Sequence, residues 1–261
     1  MFRFLSPLVI LALVLSSCTS SKSTALTQTS TIDALLAGVY DGEMSCAELL
    51  EKGDFGLGTF DALDGEMLVL DGTVYQIKSD GKVYQPSADT KTPFACVTHF
   101  QSQASFKLKK GLDFKGFEAL FDKNYTNKNI FQAIKITGQF KTMLTRAVQA
   151  QTKPYPSLAE ATKTQPEFPM QNIRGTLVGF RCPSYVKGIN VPGFHLHFIS
   201  EDKSQGGHVL SFEVEDALCE TQSSHDFTII LPKGQSDFNK VDLSHDRSHE
   251  LEQVERKRNS Q

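Results

Sequence analysis

The 261-residue chain has no Cys-x-x-Cys pair, no marked excess of either charge and no visible internal repeat. Cysteines without metal or redox spacing argue against a zinc ribbon or a thioredoxin-type centre. The formal net charge is −3, with 27 Lys and Arg dispersed among 30 Asp and Glu, which leaves no electrostatic footprint for nucleic acid. The densest basic stretch before the tail is Phe106-Lys107-Leu108-Lys109-Lys110, and its alternation marks a solvated strand face. After residue 15 no apolar run reaches the length of a transmembrane helix.

What stands at the N-terminus reads as a targeting segment. Arg3 supplies a positive start, and Pro7 to Leu15 form an apolar run too short for a stable membrane span. It leads into Leu15-Ser16-Ser17-Cys18, which resembles the bacterial lipobox, whose cysteine is diacylated and becomes the mature N-terminus. An ordinary secretory signal with a chance cysteine is the alternative. Residues 1–18 are therefore expected to be a lipoprotein signal with Cys18 as the lipidation site, making the product exported and lipid-anchored to a bacterial membrane. Thr19, rather than Asp, points onward to an outer membrane. Residues 19–31 are rich in Ser and Thr without hydrophobic period and read as a flexible tether. Four cysteines follow, Cys46, Cys96, Cys182 and Cys219, and either disulfides or free buried thiols suit them.

Beyond the tether the chain reads as α+β, with mixed, mostly antiparallel sheets and few helices. A short helix is expected from about Ser45. Short alternating runs after Gly56 are punctuated by Asp64-Gly65, Asp71-Gly72 and Asp80-Gly81, each a hairpin signal, so a meander follows. Leu112–Phe121 has helical spacing, Ile130–Arg146 is strand-rich with a break expected at Gly138, and Ile173–Cys182 is a strong strand. A short helix is expected after Tyr155-Pro156 and a helical tail over residues 236–256. Two closely packed β-rich halves result, residues 32–165 and residues 166–261, the second carrying the metal-binding segment and the tail.

The most informative run is His195-Leu196-His197, with His208 eleven residues on. In a strand, alternate side chains share a face, so His195 and His197 point together while Leu196 and Phe198 point away. A third imidazole from a neighbouring strand would make three-quarters of a tetrahedral zinc site, leaving a position open for water or substrate. A pair of hydrogen-bonded histidines without metal is the bland alternative. A tight hairpin centred near Ser204 would set His208 opposite Ser200, so a bulge or wider loop is expected to bring it to His197. Gly206-Gly207 would permit that close approach.

Several segments are longer and more specific than an H-x-H. They are Gly56-Leu-Gly-Thr-Phe-Asp-Ala-Leu-Asp-Gly-Glu-Met, Thr92-Pro-Phe-Ala, Ile173-Arg-Gly-Thr-Leu-Val-Gly-Phe, Gly188-Ile-Asn-Val-Pro-Gly-Phe-His-Leu-His-Phe and Gly206-Gly-His-Val-Leu. In collinear order from about Leu36 to the tail, they resemble the α-acetolactate decarboxylases. The resemblance implies zinc-dependent conversion of 2-acetolactate to acetoin and carbon dioxide, and a homodimer. It implies that His195, His197 and His208 hold the zinc, that Glu66 and Arg146 are catalytic, and that Thr59 and Arg146 contact substrate. It also implies a glutamate from the tail at the metal, here Glu255 in preference to Glu252. Two rivals remain: a cupin, with Glu201 following the H-x-H, and a noncatalytic zinc-binding lipoprotein.

Overall fold

The computed structural model describes residues 23–233 and 236–255. The expected signal segment, with Cys18, lies outside the described residues. The chain enters with β1 (Leu26–Thr29) and α1 (Ile32–Leu36), whose first turn is capped by the Thr31 hydroxyl accepting from the Ala34 amide. β2 (Met44–Ser45) precedes α2 (Cys46–Leu50), where Ser45 and Glu48 form a reciprocal capping box. The meander follows as β3 (Phe55–Thr59), β4 (Glu66–Leu70), β5 (Thr73–Ile77) and β6 (Val83–Tyr84). Asp71 and Gly72 take φ of 51° and 76°, the pair of positive values that a two-residue hairpin of the right twist requires. β7 (Lys91–Thr92) pairs with β2, and β8 (Ala95–Thr98) returns to the main sheet.

β9 (Ala104–Leu108), α3 (Phe114–Asn124) and β10 (Phe131–Arg146) come next. α4 (Leu158–Ala161), β11 (Glu167–Cys182), β12 (Gly193–Ser200), β13 (Gly206–Ser224), β14 (Phe227–Ile230) and α5 (Ser248–Glu255) complete the chain. One sheet has seven strands in the order β14-β1-β8-β3-β4-β5-β6, in which only the β1–β14 pair is parallel. The other has five, β10-β11-β12-β13-β9, and β10 pairs with β13 as well as β11, so this sheet curls back on itself.

The α+β expectation holds, and several boundaries are corrected. Residues 26–29, expected within the tether, form a strand between β8 and β14. Leu26 is buried, and the buried Gln28 side chain donates to the carbonyls of Ser30 and Ile189, both at 2.7 Å. A polar-looking segment is thus held by side-chain hydrogen bonds that carry no hydrophobic period. The division at 165/166 falls between β10 and β11, neighbours in one sheet, whereas β14 crosses back to the other, so the halves are not consecutive lengths of chain. No break occurs at Gly138. A Cβ there would meet the Asp216 carbonyl oxygen at 2.2 Å, so the glycine serves close strand approach. In the expected helical tail a single 3₁₀ turn at Asp237–Asn239 precedes the α-helix, which begins only at Ser248. All four described cysteines are buried and unbridged.

Strand alternation sorts the cores. In β4, Leu68 and Leu70 face the core between the sheets, while Met67 and Val69 face the layer under α2. The strand is buried on both faces and therefore reads as an unbroken apolar run. Glu66 shares the parity of Leu68 and points toward the second sheet. A phenylalanine-rich core of Phe117, Phe121, Phe140, Phe198 and Phe212 fills the curl beneath α3. A third cluster, including Ile32, Leu35, Phe94, Val148, Leu158 and Val254, joins α1, α4 and α5 over the mouth where the two sheets meet.

Candidate metal centre

In β12, Leu196 and Phe198 enter the phenylalanine core and Ile199 enters the inter-sheet core. By the same alternation His195 and His197 face the first sheet. β12 and β13 pair His197 with His208, Phe198 with Gly207 and Ile199 with Gly206. The expected offset is corrected. Asp202 accepts from the Ser200 hydroxyl at 2.6 Å and the Ser204 amide at 3.1 Å, and Lys203 takes a φ of 58°. These set the turn between Asp202 and Lys203, so His208 falls opposite His197 without a bulge on that edge. The bulge lies on the other edge of β13. The β10 ladder slips between Leu144 and Thr145, leaving Leu210 unpaired, and Arg146 then stands opposite His208.

One ligand atom from each of His195, His197 and His208 lies within 4.8 Å of the others, and all three residues are buried. Nδ1 of His197 lies 2.7 Å from the Met67 carbonyl oxygen, a contact that requires the ring N–H there and leaves the Nε2 lone pair available. That Nε2 is buried without a hydrogen-bond partner, as are Nδ1 of His195 and Oε2 of Glu255. Orphaned buried atoms are costly unless something satisfies them. Three imidazoles with a carboxylate oxygen among them are a donor set suited to zinc, so the residues fit a metal ion.

The electrostatics keep the imidazoles neutral. Burial, then Arg146, pushes His195 down to about 3, and burial holds His197 and His208 well below the ordinary histidine range. The carboxyls move the other way. Burial raises Glu66 to about 7 against the pull of Arg146, and raises Glu255 to about 7 in the same manner. A divalent cation on the imidazoles would draw both back down. Oε2 of Glu66 is 3.5 Å from Nε2 of His197, and Oε2 of Glu255 is 3.8 Å from Nε2 of both His195 and His208. Arg146 is only 4% exposed at the edge of this cluster. Opposite the polar groups stand Leu35, Leu63, Phe94, Val148, Leu158 and Val254, an apolar wall.

Of the residues named for the site in the sequence, Thr59, Glu66, Arg146, His195, His197, His208 and Glu255 line one cavity. Thr59 lines the cavity, and its hydroxyl donates to the Gly65 carbonyl at 2.7 Å, bracing the turn before Glu66. Of the two tail glutamates, Glu255 lines the cavity and Glu252 is exposed. Glu201, the ligand a cupin would use, sits at the β12–β13 turn and pairs with Arg174 at 3.3 Å. His245 precedes α5 and pairs with Asp242, and His99 pairs with Asp54, so neither reaches the centre. Missing from the sequence reading are the Met67 carbonyl and the Val148 amide, which bonds the Glu66 carboxylate. Backbone groups leave no residue-type signal.

The fold and this centre define an α+β protein with a buried three-histidine site able to hold a metal ion, flanked by two carboxyls and an arginine. The chain belongs to the alpha-acetolactate decarboxylase family, whose model matches residues 26–245. It is 47% identical over 237 residues to the alpha-acetolactate decarboxylase of Methanosarcina mazei, covering 91% of this chain and 82% of that one. It is 43% identical to that of Brevibacillus brevis, covering 89% and 81%. The crystal structure of the Bacillus subtilis strain 168 enzyme superposes with a TM-score of 0.87 at 38% identity, covering 89% of this chain and 100% of that one. The resemblance noted in the sequence is borne out, and the chain is an enzyme of this family. The matched range ends ten residues before Glu255.

Proposed function

We propose that the chain converts 2-acetolactate to acetoin and carbon dioxide with zinc held by His195, His197 and His208. The observation that carries this reading is the convergence of one ligand atom from each of three buried histidines within 4.8 Å, in a cavity also lined by Glu66, Glu255 and Arg146, in a chain of this family. Zinc, when bound, supplies a Lewis acid for the negative charge that develops on the ketone and hydroxyl oxygens of the substrate.

The substrate is a β-keto acid, so its own carbonyl accepts the electron pair left by carbon dioxide. Arg146 pairs with the departing carboxylate and sets its angle to the carbonyl plane. Its role is orientation, because a tighter grip would stabilise the ground state. Loss of carbon dioxide leaves an enediolate, which one proton on carbon converts to acetoin. Glu66, whose carboxyl lies 3.5 Å from His197 at the edge of the centre, is placed to deliver that proton. Glu255 closes the opposite side, and the apolar wall excludes water that would compete as a proton source.

The test is acetoin formation from racemic 2-acetolactate by the chain lacking residues 1–18. Release of acetoin and carbon dioxide in equal amounts is expected, and their absence from a folded, zinc-loaded chain would overturn the reading.

We further propose lipid anchoring through Cys18, with the enzyme at the outer membrane, and assembly as a homodimer. β14 is an edge strand with the exposed side chain Ile229, and exposed Leu231 follows it; both suit an apolar contact. Full-length chain is expected to partition into detergent and Cys18→Ser into the aqueous phase. Sedimentation of the chain lacking residues 1–18 is expected to give twice the chain mass.

A further inference from the structure

We infer that Thr145 is a positioning residue for the metal centre, setting His208 and Arg146 relative to each other through the carbonyl of Gly206. This rests on the three-histidine centre being a metal site.

His208 sits on β13 between two neighbours, with His197 opposite on β12 and Arg146 opposite on β10. The β12 edge is a plain hairpin ladder. The β10 edge is irregular at this point, because the register slips by one residue between Leu144 and Thr145. A ladder that slips needs another constraint to fix where its last pairs fall. Thr145 supplies one. It is fully buried, and its hydroxyl donates to the Gly206 carbonyl at 2.7 Å, a bond between β10 and the segment that leads into His208.

The backbone between that carbonyl and His208 is special. Gly207 has a φ of 133°, and a Cβ there would lie 2.4 Å from the Arg146 carbonyl oxygen. β10 therefore presses directly on the residue before His208, and the Thr145 bond clamps the residue before that. Sliding Gly206 would turn Gly207, and with it the direction of the His208 ring. The same hydroxyl belongs to the residue preceding Arg146, so one bond ties a metal ligand to the group expected to hold the substrate carboxylate. Thr145 touches neither metal nor substrate in this account and acts only through these two.

The test compares Thr145→Ser, which keeps the hydroxyl, with Thr145→Val, which keeps the shape, and Thr145→Ala, which cannot clash. Each is stripped of metal and titrated with zinc against a chelating dye, and the cobalt-loaded forms are compared by visible absorption. Zinc affinity is expected to fall about 10–100-fold in the Val and Ala variants, the range for groups that orient metal ligands. Their cobalt bands should shift, and their kcat at saturating zinc should fall while the Ser variant stays within about threefold of the unmodified chain. If Val fails to fold, Ala against Ser decides. Unchanged zinc affinity, cobalt spectrum and kcat in folded Val and Ala variants would overturn the inference, as would a Ser variant as impaired as Val. An unmodified chain that binds no divalent ion would remove the metal reading itself, and the inference with it.

Discussion

At the residue scale, the centre is a set of groups whose ordinary protonation is reversed by burial. Histidines that would share a proton near neutrality are held neutral, and carboxyls that would be ionised sit near 7. The consequence for the metal-free chain follows from proton linkage. Between pH 4.5 and 6.5 the unfolded chain holds three protons on these five groups, on the histidines, and the folded chain two, on Glu66 and Glu255. Stability then rises only weakly with pH. Below 4.5, down to about 3, the unfolded chain holds five and the folded chain still two, so stability drops steeply as pH falls. Between 6.5 and 7 the sign reverses, since only the folded carboxyls keep protons. Urea midpoints of the metal-free chain should therefore peak near pH 6.5, and midpoints that rise steadily toward acid would contradict the burial of the imidazoles. Glu66→Gln is expected to lower kcat by about 10²–10⁴ while zinc affinity is retained, as befits a proton donor. A loss confined to zinc affinity would instead make Glu66 a ligand.

At the scale of elements, the parts that read well in the sequence were those whose signal lies in residue type. The Asp-Gly hairpins, the helix starting near Ser45 and the alternation through His195-Leu196-His197 are local chemistry, and each landed where expected. β1 was missed because its order comes from Gln28 bonding to Ile189 and Asn190, contacts more than 160 residues distant that leave no local pattern. The turn lies between Asp202 and Lys203 rather than near Ser204 because the Asp202 carboxylate gathers Ser200 and Ser204, while Gly206-Gly207 serve the close backbone approach expected of them, here toward β10. Three truncations test these elements. A chain beginning at Ser23 should fold as the full chain does. One beginning at Ile32 exposes the Leu26 site, worth about 2 kcal/mol, and removes the Gln28 oxygen that accepts from the Asn190 amide, so its urea midpoint should fall clearly. Equal midpoints would mean the segment is a tether after all. Ending the chain at Arg247 removes Glu255 and the apolar cover of Leu251 and Val254. The expected product is folded, by circular dichroism, and slower in acetoin formation by about tenfold or more.

At the scale of the whole molecule, the two sheets share one core, and neither alone makes the site. The first contributes Thr59 and Glu66, the second the histidines and Arg146, and α5 the last carboxyl. The family resemblance made this assembly legible, because composition and periodicity alone gave Glu66 no distinction from any other glutamate after a turn. Long-range register, such as Arg146 opposite His208, depends on a bulge that no pattern in residues 144–146 announces. The same packing shields the thiols. Cys46, Cys96, Cys182 and Cys219 are buried and their thiols pushed upward by burial, so an aromatic disulfide reagent should label none in the folded chain lacking residues 1–18 and four after denaturation. Two or fewer after denaturation would mean bridges.

The most direct test of the central claim is to titrate zinc into the chelated chain while following bound metal and acetoin formation from 2-acetolactate together. The account predicts one ion per chain, acetoin formation rising in proportion to occupancy, and neither in His197→Ala. Full activity in the metal-free chain, or one bound zinc with no acetoin formed, would contradict it.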